Sequence, residues 1–489
     1  MKKSNLPSPE IARSVNPPIP FRNTYASLPR EFFSPQRPSH VPDPQWVRVN
    51  APLANELGID AEWASSADAL QVFSGNIIAP GSQPIAQAYA GHQFGNFVPQ
   101  LGDGRAILLG EVIDVYGNPR DIALKGSGRT AFSRGGDGKC ALGPALREYL
   151  VSEAMFALGV PSTRALAVVT TGEIVRRDED FAGAIFTRVA SSHLRVGTFA
   201  YFAAREDLGS LRILLDYALA RHGGGSAMGL LEQCITRHAA LVAQWMSLGF
   251  IHGVMNTDNC SISGETIDYG PCAFMDAFHP NCVFSAIDRQ GRYAWSRQPE
   301  MAQWNMARLA ETLLPLIEEE IGDPLPAAEA TVASFAKCFN DAFLERFSAK
   351  FGIVNDPQNS ELISSALRLM ASQHADFTEF FLQLTAVAEA GDRTLWLAAF
   401  SDKSAANEWL DAWQDHQPNA AVMRMANPIL IPRNHLVEQA IQGGYRGDFS
   451  LFHRLTEAWK NPWQPEHNDL VFATPPLPHE VVRQTFCGT

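Results

Sequence analysis

The feature that most constrains the fold of this 489-residue chain is a change of pattern near residue 207. Between about residues 90 and 200, short β-rich runs such as 106–113 and 121–125 are separated by glycines and turn residues. From about residue 207 onward, apolar residues recur at helical spacing, as in 229–248 and 301–321. The order predicts an α+β protein of two lobes, a small strand-rich lobe followed by a large helical one.

Ten of the 32 prolines fall within the first 45 residues, from Pro7 to Pro44. Such a density disfavours long helices and predicts an extended arm that lies on the body of the protein. We therefore divide the chain into an arm and lead-in (1–88), a strand-rich lobe (89–206) and a helical lobe with a C-terminal extension (207–489). Within the strand-rich lobe, the pattern also predicts a helix over 144–158 and strands over 165–170 and 183–189.

Charge and composition exclude several classes of protein. The net charge of −13 gives no general support for binding nucleic acid, although a local basic pocket for a small anion is compatible with it. No uninterrupted apolar run of about 18 residues is present, and the first residues lack the apolar stretch of a secretory signal. The seven cysteines form no CxxC pair, which disfavours structural zinc or a disulfide framework. We expect a cytoplasmic monomer without membrane or nucleic-acid partners.

A glycine-rich turn and a strand lysine suggest a site for phosphates. Gly102 and Gly104 lie in a strand–turn–strand pattern, where glycines let the backbone approach phosphates, although taken alone this pattern favours a plain hairpin turn. Lys125 ends the next strand and needs an anionic partner if it is buried, with Glu148 and Glu153 of the following helix as candidates. Such a set is typical of kinase-like folds, whereas a lysine reaching into solvent is the alternative.

A sharper pattern begins at His252. Asn259 follows seven residues later and Asp268 nine residues after that, which is the spacing of a kinase catalytic loop and its metal-binding motif. Asn259 and Asp268 supply the oxygen ligands that Mg²⁺ prefers, while two Asx-rich turns are the structural alternative. Val254 stands where a kinase has its catalytic aspartate, so ordinary phosphate transfer should be impaired. Asp258 is the only carboxylate of the loop that could act as the base instead.

Cationic and glycine-rich residues add to this pattern. Residues 126–139 combine glycines with Arg129, Arg134 and Lys139, and Arg188 and Arg195 follow downstream. Arginine forks suit bidentate phosphate contacts, so an acidic protein that concentrates them near a glycine loop is expected to hold a polyphosphate. For either downstream arginine taken alone, a surface salt bridge is an equally good interpretation.

Four motifs together resemble the SelO family: 89–95 (YAGHQFG), 99–105 (PQLGDGR), 252–259 (HGVMNTDN) and 268–271 (DYGP). The resemblance extends from about Tyr25 to the C-terminus. It implies a protein-kinase-like fold that binds ATP in a flipped orientation and transfers AMP, rather than phosphate, to Ser, Thr or Tyr hydroxyls of proteins. UMP transfer with Mn²⁺ is a further activity that similar proteins suggest.

Carried onto this sequence, the resemblance implies one nucleotide site. The loop over the nucleotide would consist of Gly102, Gly104 and Arg105. Its phosphates would be contacted by Lys125, which would pair with Glu148, and bound by Arg188 and Arg195. The flipped nucleotide would also be held by Asp137 and Gly138. Asn259 and Asp268 would ligate Mg²⁺ or Mn²⁺, and Asp258 would be the base. A reversed nucleotide would also explain Val254, because the α-phosphorus would then occupy the reacting position.

The resemblance also draws attention to Cys487, close to the C-terminus. Bacterial members of the family can bridge this cysteine to one that follows the metal-binding motif, here Cys282 or Cys272, and oxidation would then tether the tail across the site. Two ordinary thiols are the alternative. Two alternative functions of the chain stay open besides AMP transfer. The first is that of a true kinase, which Val254 disfavours. The second is that of a non-catalytic nucleotide-binding scaffold, which a complete metal site disfavours.

Overall fold

The computed structural model describes residues 18–486, so the start of the predicted arm and Cys487 lie outside the described residues. The strands are β1 (Phe33–Pro35), β2 (Gln45–Val49), β3 (Ile85–Gln87), β4 (Gly91–Gln93), β5 (Asn96–Val98), β6 (Ala106–Ile113), β7 (Pro119–Lys125), β8 (Cys140–Ala141), β9 (Arg164–Arg176), β10 (Asp180–Ala190), β11 (Phe250–Ile251) and β12 (Ala273–Phe274). The helices are α1 (Ala51–Glu56), α2 (Ala61–Ala64), α3 (Ala67–Phe73), α4 (Leu142–Ala157), α5 (Val196–Ala203), α6 (Leu208–His222), α7 (Ala227–Ser247), α8 (Gln298–Ile321), α9 (Leu325–Phe351), α10 (Ser360–Gln373), α11 (Phe377–Ala390), α12 (Thr394–Ala398), α13 (Lys403–Gln414), α14 (Ala420–Ala426), α15 (Asn434–Tyr445) and α16 (Ser450–Ala458). The predicted α+β division into a strand-rich and a helical lobe is confirmed.

An antiparallel sheet forms the first lobe, with the strand order β1-β3-β6-β7-β10-β9-β2 and β8 added beside β10. The pairing of β6 with β7 sets Ala106 opposite Lys125, so the lysine lies next to the glycine-rich turn that precedes β6. One face of the sheet packs against α4, and the other packs against α1 and α3. A sheet covered on both faces holds Lys125 and its neighbours on a rigid support.

Several predicted elements have different limits in the structure. β9 continues well beyond 165–170 because Gly172, with φ of 73°, bends the strand without ending it. Its partner β10 likewise extends the predicted strand 183–189 at both ends. α4 begins at Leu142 rather than at Pro144, since proline is tolerated anywhere in the first turn of a helix. β1, β2 and β3 join the main sheet although they come from residues 33–87, which the sequence pattern assigned to the lead-in.

The helical lobe contains a large apolar core that includes residues of α7, α8, α9 and α11. On its side facing the sheet, β11 pairs with β12, with Phe250 opposite Phe274, and this short ribbon closes the loop from 252 to 272. Within residues 18–486, none of the helices combines the length and apolar character needed to cross a bilayer.

The chain returns to the first lobe near its end. α15 and α16 pack against α4 through a shared apolar cluster. Polar contacts reinforce this packing, because Arg147 pairs with Glu438 and the backbone N–H of Gly143 donates to the Tyr445 hydroxyl at 3.0 Å. The helix that carries Glu148 is thus held between the sheet and the C-terminal helices.

Candidate active site

A cleft of about 710 Å³ lies between the sheet and the loop closed by β11 and β12. Of the twelve residues singled out in the sequence, eleven line it: Gly102, Gly104, Arg105, Lys125, Asp137, Gly138, Arg188, Arg195, Asp258, Asn259 and Asp268. The twelfth, Glu148, lies behind Lys125. Residues that are up to 166 positions apart in the chain, from 102 to 268, therefore converge on one site.

Glu148 is the buried centre of an ion-pair network. Its carboxylate accepts from Lys125 Nζ at 2.5 Å and from Arg188 Nε at 3.0 Å. Burial disfavours its ionisation, but the charges of Arg188 and Lys125 outweigh that effect and hold the Glu148 pKa below its ordinary value. The alternative of a solvent-reaching lysine is wrong, since Lys125 is buried, and the rival partner Glu153 binds Arg164 instead.

Asp268 joins this network from the other lobe. Lys125 Nζ donates to its Oδ1 at 2.7 Å. Burial opposes ionisation of Asp268, yet the nearby charges of Lys125, Arg188 and Arg105 hold its pKa well below the ordinary value, so it is an anion at neutral pH. Its φ of 70° is a left-handed conformation that costs energy for a residue other than glycine, and such strain concentrates at functional sites.

The donor set at Asn259 and Asp268 fits a hard divalent cation. Asn259 Nδ2 donates to the Val254 carbonyl at 3.2 Å, which directs the amide oxygen away from that carbonyl. Asp268 retains a second carboxylate oxygen beyond the one that binds Lys125. The described part of the chain has no group of three or more His, Cys, Asp or Glu side chains that could hold a metal. Two protein oxygens suit Mg²⁺ or Mn²⁺, because Mg²⁺ usually takes its other ligands from water and substrate phosphates.

Asp258 lies in the same cleft in a different environment. Its Oδ1 is buried and has no hydrogen-bond partner among residues 18–486. The strand β4 passes so close that a Cβ at Gly91 would overlap this oxygen. Burial raises the Asp258 pKa to about 6, although Arg195 partly opposes the shift. A carboxylate of that pKa is largely ionised at pH 7 and still able to accept a proton. Val254, at the kinase base position, also lines the cleft but has no acid–base chemistry.

Arg195 brings two residues into the site that the sequence analysis did not assign. Its Nη1 donates to Asp103 Oδ1 at 3.3 Å, and its guanidinium lies 4.2 Å from the centre of the Tyr89 ring. Its Nε is buried and has no partner in the described part of the chain. The interpretation of Arg195 as a surface salt bridge is therefore wrong. Asp103 and Tyr89 were visible within the sequence motifs, but no local pattern assigned a contact to either.

The outer wall of the cleft is the loop that contains Asp137. Arg177 donates to both oxygens of Asp137, at 2.9 and 3.0 Å, and this hydrogen bonding holds the Asp137 pKa below its ordinary value. The loop also covers the glycine-rich turn, because Thr130 Oγ1 donates to the Asp103 carbonyl at 2.6 Å. Arg177 follows β9 in the β9–β10 hairpin, 40 residues from Asp137, and no sequence signal connected the two.

Comparison with known proteins gives the family of the chain. The family described as "Protein adenylyltransferase SelO" matches residues 18–460 of the chain. The chain belongs to the SelO family. Similar proteins named "Protein nucleotidyltransferase YdiU" include one from Rhizobium rhizogenes, 52% identical over 97% of each chain. Another, from Nitrobacter hamburgensis, is 50% identical over 99% of this chain and all of the relative. This SelO-family chain is therefore an enzyme of the nucleotidyltransferase class.

Proposed function

We propose that this SelO-family enzyme transfers AMP from ATP to Ser, Thr or Tyr hydroxyls of proteins and releases pyrophosphate. The observation that carries the proposal is the position of Asp258. This carboxylate has a buried oxygen without a partner and lies in the same cleft as the cations Lys125, Arg188 and Arg195, while the kinase base position holds Val254. The names of the family and of its relatives support the same reaction.

The distribution of charge supports a reversed nucleotide. Lys125, Arg188 and Arg195 are buried cations that can neutralise a triphosphate at the inner end of the cleft. The loop at Asp137 and Gly138 would then contact the other end of the nucleotide. In that orientation the α-phosphorus faces Asp258 rather than Val254.

The proposed reaction is an in-line displacement at the α-phosphorus. The acceptor hydroxyl oxygen forms a bond to that phosphorus, the bond from phosphorus to the pyrophosphate oxygen breaks, and the hydroxyl proton passes to Asp258. A Mg²⁺ or Mn²⁺ ion held by Asn259 and Asp268 would supply charge stabilisation for the leaving pyrophosphate. Lys125 and the arginines bind the phosphates that develop charge, and Glu148 keeps Lys125 in position.

Intact-mass spectrometry tests this proposal directly. The reduced protein is incubated with ATP and either Mg²⁺ or Mn²⁺, alone and with a mixture of candidate acceptor proteins. We expect a gain of one AMP mass per modified site, lost in Asp258→Asn, in Asp268→Ala and after removal of metal with EDTA. Asp341→Asn is the matched control, because Asp341 is an exposed aspartate whose ion-pair partner within residues 18–486 is Lys337 on the same helix.

The other outcomes are equally informative. Gain of a phosphate mass would identify a kinase and contradict the reversed nucleotide. Bound ATP with no transfer to any acceptor would favour a scaffold. A parallel incubation with UTP and Mn²⁺ tests UMP transfer, which we propose as a second activity of the same site.

A further inference from the structure

A two-stranded ribbon, β4–β5, is fixed to the turn that carries Asp258. The backbone N–H of His92 donates to Thr257 Oγ1 at 2.7 Å, and that of Phe94 donates to Asn256 Oδ1 at 2.9 Å. Phe94 also lines the cleft. The ribbon therefore forms the rim of the cleft beside the proposed base.

Two arginines extend this rim. The guanidinium carbon of Arg292 lies 4.9 Å from the centre of the Trp304 ring, and that of Arg308 lies 5.0 Å from it. The His92 ring packs edge-on against Trp304 at 5.2 Å, and Arg292 lies beside Gly95 at the ribbon tip. We call Arg292, Trp304 and Arg308 the arginine surface.

The two guanidinium charges of the arginine surface outnumber the carboxylates that pair with them. Within residues 18–486, Arg292 has no carboxylate at ion-pair distance, and the carboxylate paired with Arg308 is that of Glu311, one turn along the same helix. The Nε atoms of both arginines are buried and have no hydrogen-bond partner in the described residues. Two like charges on one ring repel each other, so an anion that approaches them would stabilise this arrangement. In a chain of net charge −13, such a local excess is notable.

The arginine surface is connected to the catalytic turn. Tyr293, next to Arg292, donates its hydroxyl to Asn256 Oδ1 at 2.7 Å, the same atom that fixes Phe94. Exposed apolar side chains lie nearby on the same rim, with Phe97 42% and Ile287 59% exposed. Because the buried cations that suit a triphosphate lie deeper in the cleft, this rim is the side from which an acceptor can reach Asp258.

We propose that the arginine surface binds Asp or Glu side chains that flank the acceptor hydroxyl, so that the preferred protein substrates present that hydroxyl within an acidic segment. This inference rests on the proposed function, which supplies the acceptor. Trp304 holds both guanidinium groups in place, and the exposed Phe97 and Ile287 contact apolar residues of the same segment. Partly exposed charges at the rim of a binding site set specificity and association rate more than overall affinity.

The test compares two fluorescent peptides that differ only in four Glu residues, which one peptide carries around a Ser acceptor and the other replaces with Gln. Fluorescence anisotropy gives the Kd of each peptide for the full-length protein in the presence of Mg²⁺ and an ATP analogue with a methylene group between its α- and β-phosphorus, which cannot transfer AMP. We expect the acidic peptide to bind about tenfold more tightly at low salt, a preference that added salt reduces. The double variant R292Q/R308Q should lose this preference, whereas R292K/R308K should retain part of it.

Arg297→Gln is the matched control, because Arg297 is an exposed arginine of the same segment that pairs with Glu300 outside the arginine surface. Arg308→Glu should reverse the preference toward a Lys-flanked peptide, an outcome that misfolding would not produce. Equal affinity of the two peptides for the wild-type protein, or a preference that survives R292Q/R308Q, would overturn the proposal. Because binding is measured without turnover, failure of AMP transfer in the mass assay remains a separate result.

Discussion

Replacing Glu148 with Gln hardly changes the size of the side chain, but it should lower both the folding stability and the activity of the enzyme. The buried Glu148 carboxylate holds Lys125 at 2.5 Å and Arg188 at 3.0 Å. Gln keeps the shape but leaves both cations without this anion, and breaking a buried ion pair by removing one partner costs about 3–5 kcal/mol of folding stability. Among the described residues, Lys125 would then keep Asp268 as its one ion-pair partner, 2.7 Å away, and would draw this carboxylate away from the proposed metal position.

The effect on catalysis can be estimated separately. Losing one charge-assisted hydrogen bond that orients Lys125, worth about 1.5–3 kcal/mol, corresponds to a drop of about 10- to 100-fold in kcat/KM for ATP. The assay is the initial rate of AMP incorporation at varied ATP, performed at a temperature where circular dichroism shows both proteins folded. A lower kcat/KM in folded E148Q would support the role of Glu148 as a positioning residue.

Glu153→Gln provides the matched control on the same helix. Glu153 binds Arg164 through two hydrogen bonds of 2.9 Å, whereas the ion-pair partners of Lys125 in the described part of the chain are Glu148 and Asp268. E153Q should lose stability but keep kcat/KM within about twofold of the wild type, since distant sites act independently. If E148Q and E153Q lose activity equally, or if E148Q stays fully active, Glu148 does not act by positioning Lys125.

Three further predictions concern other parts of the site. The proposed base must be ionised, and burial raises the Asp258 pKa to about 6, so kcat should rise between pH 5 and 7 and be about one-tenth of its plateau value at pH 5. If the residual activity of Asp258→Asn shows the same rise, the titrating group is not Asp258. Arg177→Gln removes the two hydrogen bonds from the guanidinium to Asp137 and leaves the one from the Lys139 backbone. Steady-state kinetics should therefore show KM for ATP raised about tenfold with kcat nearly unchanged, and a fall in kcat alone would contradict that role. If the tail forms a disulfide near the cleft, Cys487→Ser should abolish the loss of activity on oxidation, and a variant that keeps full redox sensitivity would exclude this bridge.

The sequence predicted those parts of the site that depend on local spacing. Asn259 and Asp268 are nine residues apart in a loop closed by the pairing of Phe250 with Phe274, so their convergence follows from a short hairpin-like segment. Lys125 ends a strand whose partner begins at Ala106, just after the glycine-rich turn, and the strand pattern alone was sufficient to place the two together.

Contacts across long stretches of chain were not predictable from local pattern. Arg177 reaches Asp137 across 40 residues and Arg195 reaches Asp103 across 92, and both pairs depend on how strands align in the finished sheet. The edge strand β2 was missed for a different reason. Its proline-rich surroundings predict extended chain, and only pairing with β9 distinguishes a strand from an extended arm.

The packing of α15 and α16 on α4 has a consequence for synthesis on the ribosome. α4 and the sheet are complete once residue 190 has emerged, but the apolar cluster on α4 is completed by α15 and α16, which begin more than 240 positions later. A nascent or truncated chain therefore exposes the apolar Leu146 and Tyr149 to chaperones and proteases. It also lacks the C-terminal helices that hold α4, and with it Glu148, against the sheet. Translation thus has to pass α15 and α16 before the support of the cleft is complete, so quality control can remove shorter chains before they bind ATP productively.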